Sequence, residues 1–275
     1  MADTALVSNI VKKSLRVNKL PHIWCPGCGH GILMRAVAQA IENKGLDKNK
    51  VCIVSGIGCS SRAAGYMDFN TLHTAHGRAL AFATGIKLAN PELHVIVISG
   101  DGDATAIGGN HFIHAARRNI GITCIVFNNS IYGMTGGQYS PLTQVHDLAT
   151  TAPYGNIERA FDMMKLADAA GATYTARITT YHVREAVKLI EKALSNKGFS
   201  LVEGISECPT YYGRKNNKGS AVQLMEWVKD NAVDVKKAEG MTEESLKGKL
   251  VIGEFKNTVE PEYTEEYQKI IDRVR

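Results

Sequence analysis

The stretch from Val95 to Thr143 carries the clearest folding signal in this chain. It opens with an unbroken, mostly β-branched run, Val95–Ser99, which is typical of a strand covered on both faces in a parallel sheet. A Gly-Asp-Gly sequence at 100–102 ends that run, a helical pattern covers Asn110–Arg118, and Ile122–Phe127 predicts a second buried strand. The stretch therefore predicts a βαβ unit with a polar loop at the carboxyl end of each strand.

These two polar loops are expected to meet, because neighbouring parallel strands end at the same edge of a sheet. Asp101 follows one strand and Asn129 follows the other. A carboxylate, an amide oxygen and a backbone carbonyl are hard ligands suited to Mg²⁺ or Ca²⁺, with positions left for phosphate and water. A dinucleotide fingerprint would need Gly at Thr105, and it would set Asp101 and Asp103 against a pyrophosphate without a metal. The pattern favours a metal-bridged diphosphate.

Six cysteines form a second group of candidate functional residues. Cys25 and Cys28 lie on a tight turn before an amphipathic helix predicted from about Ile32 to Asn43. A C-x-x-C turn aims two sulfurs at one point, and alone it fits a redox pair, a zinc site or an iron–sulfur cluster. Cys52 and Cys124 lie within apolar strands and are predicted to be buried as small hydrophobic residues.

The other two cysteines follow predicted strands. Cys59 lies on a glycine-flanked loop after Val51–Ser55, where loops of an open α/β sheet line the binding crevice. Cys208 follows Ser200–Ile205 and precedes Pro209, and a Cys-Pro pair is found in ferredoxin-type ligation. Both are candidates to complete a four-cysteine site.

A family resemblance rests on GDG followed nearly thirty residues later by Asn-Asn, which resembles the motif that binds thiamine diphosphate. The longer sequences GDGDATAIGGNHFIHAARRN and IYGMTGGQYSP resemble the β subunits of 2-oxoacid:ferredoxin oxidoreductases. This resemblance covers about residues 20–215. It implies an open, mostly parallel α/β sheet with helices on both faces, the diphosphate-binding type of thiamine diphosphate fold.

The resemblance also implies two metal centres. One is Mg²⁺ on the cofactor's diphosphate, held by Asp101, the Asn129 side chain and the Ile131 carbonyl. The other is a [4Fe–4S] cluster beside the thiamine, held by Cys25, Cys28, Cys59 and Cys208. A structural zinc ion on the same four thiolates remains the alternative.

Two basic groups extend the predicted site. His73–Arg78, HTAHGR, opens a helix expected to run to about Leu88, and its histidines and arginine make an anion cradle. His30 and Arg62 are the predicted catalytic residues, and Arg62 stands where some relatives have a lysine that meets a substrate carboxylate. A guanidinium fork suits a distal carboxylate, which favours a dicarboxylic 2-oxoacid. The resemblance predicts these cofactor-binding residues: His30, Gly56, Ile57, Gly58, Cys59, Ser60, His76, Gly77, Arg78, Gly100, Asp101, Gly102, Asp103, Asn129, Ile131, Tyr132 and Gly133.

Length and composition set broad limits. A chain of 275 residues that is 44% hydrophobic can bury a full core. Its net charge of +5 is spread among acidic residues, so no nucleic-acid partner is expected. No run of eighteen apolar residues and no secretory signal are found, which predicts a cytoplasmic protein without a membrane partner.

Strands and helices alternate without a break in composition to about Gly204. The chain is divided into an N-terminal arm (1–20), a central domain (21–210) and a C-terminal extension (211–275). The extension is rich in Lys and Glu, and it is expected to wrap a partner or cover the cluster, with a partly mobile tail as the alternative. Further predicted elements are helix Glu158–Ala170, strand Tyr174–Arg177 and helix His182–Leu194.

The predicted activity is the reversible, coenzyme A-dependent oxidative decarboxylation of a 2-oxoacid. The preferred substrate is 2-oxoglutarate, which gives succinyl-CoA, CO₂ and reduced ferredoxin, while pyruvate and branched-chain 2-oxoacids remain open. A non-redox thiamine diphosphate decarboxylase or synthase with zinc, and a non-catalytic interaction subunit, are the competing hypotheses. The resemblance implies an α-type partner subunit that supplies the activating glutamate, a ferredoxin partner and a two-fold assembly of αβ units.

Overall fold

An eight-stranded sheet forms the centre of the protein, and a computed structural model describes it within residues 9–275. Residues 1–8 of the predicted arm lie outside the described part. The strands are β1 (Val51–Ser55), β2 (Asn70–His73), β3 (His94–Gly100), β4 (Ile122–Asn128), β5 (Tyr174–Thr179), β6 (Ser200–Ile205), β7 (Ala232–Asp234) and β8 (Leu250–Asn257). Their order is β2-β1-β3-β4-β6-β5-β8-β7, and all neighbours are parallel except β5 and β8. The predicted open, mostly parallel α/β sheet is confirmed.

Helices cover both faces of this sheet. They are α1 (Asn9–Ser14), α2 (His30–Asn43), α3 (Ala63–Tyr66), α4 (Ala79–Ala89), α5 (Gly109–Arg117), α6 (Met163–Ala169), α7 (Val183–Ser195), α8 (Ala221–Asn231), α9 (Val235–Ala238), α10 (Glu243–Leu246) and α11 (Tyr263–Val274). Two single turns of π-helix lie at Asp103–Ile107 and Pro209–Gly213. Over residues 9–275, no helix combines the length and the apolar character needed to cross a bilayer.

Alternate residues of each central strand enter two different cores, because successive side chains of a strand point to opposite faces. Ile96 and Ile98 of β3 pack with α2 and α7, while Val95 and Val97 pack with α4, α5 and α6. The prediction that Cys52 and Cys124 are buried is confirmed, since both lie in the second core.

Most central elements lie where the sequence predicts them, and β1 and β6 have the predicted bounds. The helix predicted from Glu158 begins only at Met163, because the Asp162 side chain accepts a hydrogen bond from the Met164 N–H at 3.0 Å and caps it there. The helix predicted at HTAHGR begins after that motif, at Ala79. Sequence reasoning missed β2, a short edge strand with no buried side chain.

The C-terminal extension completes the sheet. β8 pairs antiparallel with β5, and Phe255 and Tyr263 pack against the second core. The alternative of a solvated, mobile tail is therefore wrong for these elements. At the other end of the chain, the Ser14 hydroxyl donates to Glu42 at 2.7 Å, so the described part of the arm packs on α2. The division into arm, central domain and extension stays a prediction.

Asn119 ties the extension to the core from a left-handed conformation with φ 46°. Its carboxamide accepts hydrogen bonds from the Phe199 N–H at 2.8 Å and the Thr173 hydroxyl at 3.1 Å, and it donates to the Pro261 carbonyl at 2.9 Å. A single buried side chain thus joins the ends of α5, β6 and the extension.

We predict that Asn119→Ala lowers the free energy of unfolding by about 2–4 kcal/mol, because several buried groups lose their partners. Asn119→Gly loses the same hydrogen bonds but tolerates the positive φ, so it should recover about 1 kcal/mol relative to Ala. Urea unfolding of the two variants checks this. Equal stability of Asn119→Ala and wild type would contradict it.

Candidate active site

A cavity of about 410 Å³ opens at the carboxyl ends of β1, β3 and β4. Most of the predicted cofactor residues line it: His30, Ile57, Gly58, Cys59, Ser60, His76, Gly100, Asp101, Gly102, Asp103, Asn129, Ile131, Tyr132 and Gly133. Sequence reasoning missed Phe127, Met134, Thr135 and Gln138, which also line it. A signal for the last three was present, because they stand in the glycine-rich loop that directly follows the Asn-Asn motif.

Asp101 presents the carboxylate expected at a cation site. It is 3% exposed and accepts a hydrogen bond from the Ser140 hydroxyl. Burial raises the pKa of Asp101 to about 7, although hydrogen bonds from Ser140 and the Gly102 backbone work in the opposite direction. A divalent cation beside this carboxylate would stabilise its ionised form. The Asp101 environment therefore suits a metal ligand.

The two asparagines at the end of β4 have different tasks. The Asn128 side chain donates to Glu203 at 2.7 Å, and Glu203 also accepts from Arg177 at 2.6 Å. The Ser130 N–H donates to the Asn128 side-chain oxygen at 2.9 Å, and Ser130 adopts φ 58°. Asn128 thus holds the turn, while Asn129 lines the cavity beside Asp101.

The loop after this turn folds back over the Gly-Asp-Gly sequence. The Tyr132 hydroxyl donates to the Gly102 carbonyl at 3.1 Å, and a Cβ at Gly102 would lie 2.1 Å from the Tyr132 ring. Only glycine fits there. The Thr143 hydroxyl donates to the Ser130 carbonyl at 2.6 Å, which anchors the backbone leading to the buried Ile131. The predicted metal ligands Asp101, Asn129 and Ile131 all line this cavity.

Asp103 joins the loops that surround the cavity. Its Oδ1 accepts from the Gly77 N–H at 2.7 Å, the Ile57 N–H at 3.3 Å and the His76 ring at 2.6 Å, and its Oδ2 accepts from the Ser99 hydroxyl at 2.6 Å. The carboxylate is 3% exposed, and both of its oxygens accept hydrogen bonds from the protein. Asp103 therefore positions the loops, and the geometry does not favour direct contact of its carboxylate with a cofactor.

His30 lines the cavity at the start of α2 and is 1% exposed. Its Nδ1 lies 2.8 Å from the Ser206 hydroxyl, and its ring packs against Trp24 and Phe127 with centroids 5.8 and 5.4 Å apart. Burial lowers the pKa of His30 to about 3, so the imidazole is neutral near pH 7. His30 can act as a hydrogen-bonding group but does not supply a positive charge.

The four predicted cluster ligands lie together beside this cavity. Burial, with smaller contributions from neighbouring cysteines, raises the pKa of Cys28 to about 12 and that of Cys59 to about 11. The contributing neighbours are Cys208, Cys59 and Cys25 for Cys28, and Cys208 and Cys25 for Cys59. The Gly29 N–H donates to the Glu207 carbonyl at 3.1 Å, which ties the C-x-x-C turn to the segment that carries Cys208.

This cysteine group bears on two alternatives that the sequence leaves open. A reactive redox pair needs a lowered thiol pKa, whereas the pKa of Cys28 is raised. A zinc ion with Zn–S bonds of about 2.3 Å needs sulfurs about 3.8 Å apart. Within residues 9–275, no three His, Cys, Asp or Glu side chains converge closely enough to hold one metal ion. The two metal alternatives, zinc and a [4Fe–4S] cluster, both stay predictions.

Seven predicted site residues lie outside the lining of the cavity: the cluster ligands Cys25, Cys28 and Cys208, and also Gly56, Arg62, Gly77 and Arg78. Gly56 packs under Asp103, and Gly77 adopts φ 68° and donates its N–H to that carboxylate. Arg78 donates to the Ile107 carbonyl at 3.2 Å, and Arg62 is exposed. The roles of Arg62 in substrate binding and of Arg78 in cofactor binding stay predictions.

A larger cavity of about 550 Å³ lies on the other side of the Asn128–Ser130 turn. Charged side chains that line it pair with one another: Arg177 forms ion pairs with Glu203 and Asp162. Of the predicted site residues, only Asn129 and Cys208 line it, and none of the residues at 56–60, 76–78 or 100–103 does. The smaller cavity is therefore the candidate active site.

Similarity to known proteins agrees with this choice. The family model "Thiamine pyrophosphate enzyme, C-terminal TPP binding domain" matches residues 56–204, which include the loops after β1, β3 and β4. The 2-oxoglutarate synthase subunit KorB of Methanocaldococcus jannaschii is 52% identical over 263 residues, 96% of this chain and 97% of that protein. The chain belongs to the KorB family, the β subunits of 2-oxoacid:ferredoxin oxidoreductases. The predicted family is confirmed.

Other KorB proteins match over nearly the same span. KorB of Archaeoglobus fulgidus is 49% identical over 261 residues, 95% of this chain and 94% of that protein. Among solved structures, 2-oxoglutarate:ferredoxin oxidoreductase from Magnetococcus marinus, with 2-oxoglutarate, coenzyme A and succinyl-CoA bound, gives a TM-score of 0.85 at 34% identity. The match covers 96% of this chain and 90% of that chain, so the KorB fold extends through the C-terminal extension.

We predict that Asp103→Asn weakens binding of magnesium thiamine diphosphate about 10- to 100-fold, the cost typical of losing a residue that orients a ligand shell. The amide replaces an acceptor with a donor, so at least one of the bonds from Ile57, His76, Gly77 and Ser99 is lost. Titration of the purified αβ enzyme with cofactor measures the effect. Asp168→Asn, an exposed carboxylate paired with Lys256, is the matched control. Unchanged affinity in Asp103→Asn would contradict the assignment.

Proposed function

We propose that this KorB subunit, with an α-type partner, catalyses the reversible reaction 2-oxoglutarate + coenzyme A + 2 oxidised ferredoxin = succinyl-CoA + CO₂ + 2 reduced ferredoxin + H⁺. The observation that carries the proposal is the position of Cys59. This residue lines the cavity with Asp101 and Asn129, and it also belongs to the four-cysteine group. A cofactor site and an electron-transfer site thus share one side chain.

The residues of the cavity fit a magnesium thiamine diphosphate. Asp101, the Asn129 side chain and the Ile131 carbonyl are the oxygen donors that Mg²⁺ prefers, and Asp101 is a buried carboxylate with a raised pKa. Glycines at 100 and 102 let a diphosphate approach the backbone. His76 and the Gly77 N–H, both fixed by Asp103, form the facing loop.

When bound, thiamine diphosphate supplies a carbon nucleophile for the substrate ketone and accepts the electrons left when CO₂ departs. This chain holds the cofactor and shields the reaction from water. His30 serves as a neutral hydrogen-bonding group on the cavity wall, in an orientation fixed by Ser206 and Trp24. The glutamate that activates the aminopyrimidine is assigned to the α-type partner, so this chain contributes half of the active site.

The cysteine group fits a [4Fe–4S] cluster held by Cys25, Cys28, Cys59 and Cys208. The four cysteines lie close enough for the pKa values of Cys28 and Cys59 to be raised in part by their neighbours, and the raised pKa of Cys28 argues against a redox pair. When bound, the cluster would accept electrons one at a time from the adjacent cofactor and pass them on to ferredoxin.

The proposed substrate rests on two observations. Relatives that are 52% and 49% identical over 96% and 95% of this chain carry the name 2-oxoglutarate synthase. In addition, Arg62 follows Cys59 closely on the loop after β1. An exposed guanidinium at this point would meet the distal carboxylate once the α-type partner covers the cavity. Pyruvate and branched-chain 2-oxoacids are the alternatives. The two-fold assembly and the cytoplasmic location stay predictions.

Cysteine substitution tests the proposed function. Purified anaerobically with its partner, the wild-type enzyme should contain an iron–sulfur cluster with about four iron atoms and four acid-labile sulfides at this site. Cys208→Ala should remove those four irons and the 2-oxoglutarate-dependent viologen reduction, while thiamine diphosphate still binds. Cys52→Ala, a buried cysteine of the second core, should keep both.

Two outcomes would contradict the cluster assignment. Zinc without sulfide would leave a non-redox thiamine diphosphate enzyme. An unchanged iron content in Cys208→Ala would place the iron of the complex in another subunit.

Substrate selectivity tests Arg62. We predict that Arg62→Ala raises KM for 2-oxoglutarate about tenfold, or about 1.4 kcal/mol, and changes KM for pyruvate less than about twofold. Arg62→Lys keeps the charge but loses the bidentate fork, so its KM for 2-oxoglutarate should lie between those of the wild type and of Arg62→Ala. Steady-state kinetics of the αβ enzyme give these values. An equal change for both substrates would exclude contact with the distal carboxylate.

A further inference from the structure

Helix α11 (Tyr263–Val274) is anchored to the rest of the protein at its first turn. Glu262, which caps it, is 5% exposed and accepts hydrogen bonds from the Glu265 N–H at 2.9 Å and from the Gly121 N–H at 2.7 Å. From residue 265 to residue 275 every residue is exposed except Ile271, which is half-buried. The helix beyond its first turn therefore projects from the protein.

A narrow apolar stripe runs along this projecting helix. Its members recur at spacings of four, three and four residues, which places them on one line of an α-helix: Tyr263, Tyr267, Ile270 and Val274. The exposed fractions of Tyr267, Ile270 and Val274 are 51, 54 and 78%. A helix of 12 residues is marginally stable in water by itself, and packing of an apolar face supplies most of the stability of such helices. The stripe, which we call the α11 seam, therefore indicates a packing partner.

The charges of α11 are divided between its two ends. Residues 262–266 carry three negative charges and no positive charge, whereas residues 269–275 carry three positive charges and one negative charge, that of Asp272. Two copies of the helix packed in the same direction would place like charges side by side. Antiparallel packing instead places each acidic end beside a basic end. The helix is therefore complementary in charge to a second, antiparallel copy of itself.

The seam also determines which charges would meet. In an antiparallel pair, Tyr267 of one helix packs against Ile270 of the other, and the seam residues form continuous apolar layers. Glu266 and Arg273 border the seam on one side, so Glu266 of each copy would lie beside Arg273 of the other. Within residues 9–275, Arg273 forms no ion pair, whereas Glu266 pairs with Lys269. The Arg273 charge is thus available to a second copy.

The α11 seam lies away from the candidate active site. Gly121, which donates to the cap of α11, directly precedes β4, so the helix begins at the amino end of that strand. The active-site cavity opens at the carboxyl ends of the strands. An α-type partner that completes the active site is expected at the carboxyl edge, which leaves the seam free for a second αβ unit.

We propose that the α11 seam binds the α11 seam of a second copy of this chain, in an antiparallel two-fold contact that joins two αβ units. Such a contact uses the same surface on both copies, so the pair of Glu266 with Arg273 occurs twice. This inference goes beyond the proposed function and does not depend on the reaction that the enzyme catalyses.

Cysteine cross-linking tests this contact in the purified αβ enzyme. Treated with a short bis-maleimide, Ile270→Cys should give a covalent product of two copies of this chain, because the two side chains lie near the two-fold axis. Asp272→Cys, on the opposite face of the same helix, and the wild type should give at least about fivefold less of this product. Mass spectrometry identifies the two chains that are joined.

Charge exchange tests the antiparallel direction. In the Ile270→Cys enzyme, Arg273→Glu should lower the yield of the joined chains at least about threefold, because the new carboxylate meets Glu266 of the other copy. Adding Glu266→Arg restores both ion pairs with their charges exchanged. The yield should then return to that of Ile270→Cys alone.

Three outcomes would overturn the proposal. They are a main product that joins this chain to the α-type subunit, equal yields from Ile270→Cys and Asp272→Cys, and no recovery of yield in the charge-exchanged enzyme when circular dichroism shows an unchanged helix content. If Ile270→Cys does not assemble with its partner, Tyr267→Cys reports the same contact. Loss of 2-oxoglutarate-dependent viologen reduction would refute the proposed function and leave this result unaffected.

Discussion

Parallel pairing of β3 with β1 and β4 is the constraint on which the site depends. Ser55 pairs with Ile98, and Gly100 pairs with Phe127, so the three strands end almost level. Their loops therefore begin at one edge, and side chains that are distant in the sequence meet there. Successive side chains of a strand point to opposite faces, so a slip of one residue in register would move every side chain of that strand to the other face of the sheet. Because both faces of these strands pack against apolar cores, such a slip is disfavoured.

Two aspartates that are two residues apart illustrate how the site divides its charges. Asp103 is satisfied by donors from the loops after β1 and β2 and from β3 itself. Asp101 receives one side-chain hydrogen bond, from Ser140, and its pKa is raised by burial. The Asp103 carboxylate links several loops of the protein, whereas the Asp101 carboxylate has acceptor capacity left for a cation. Burying a carboxylate with so few partners is costly, and a bound cation would compensate that cost.

The same edge of the sheet extends to the cysteines. β6 ends beside β4, and the segment after it carries Cys208 and packs on the C-x-x-C turn through Pro209 and Ala221. The extension is thus part of the architecture around the cysteine group and not only an appendage. Its β8 covers the edge of β5, which would otherwise present unpaired backbone groups.

The sequence by itself determined the central strands, because a β-branched run such as Val95–Ser99 has apolar side chains on both faces, and both faces must be buried by neighbouring elements. It also identified the candidate oxygen and sulfur ligands, and it separated the buried Cys52 and Cys124 from the loop cysteines. Only the tertiary structure decided the outer strands β2 and β8, of which β2 is an edge strand and β8 lies between β5 and β7. These strands bury little, so their residues carry no strong apolar pattern.

The tertiary structure alone also decided the contacts of Asp103 and the exposed position of Arg62. The backbone donors to Asp103 come from Ile57 and Gly77, 46 and 26 residues away, and no local pattern encodes such a contact. Arg62 lies near Cys59 in the sequence but is exposed outside the cavity. A sequence specifies the chemical identity of a side chain, whereas its direction and its partners depend on how distant loops pack, and that is fixed only when the sheet has formed.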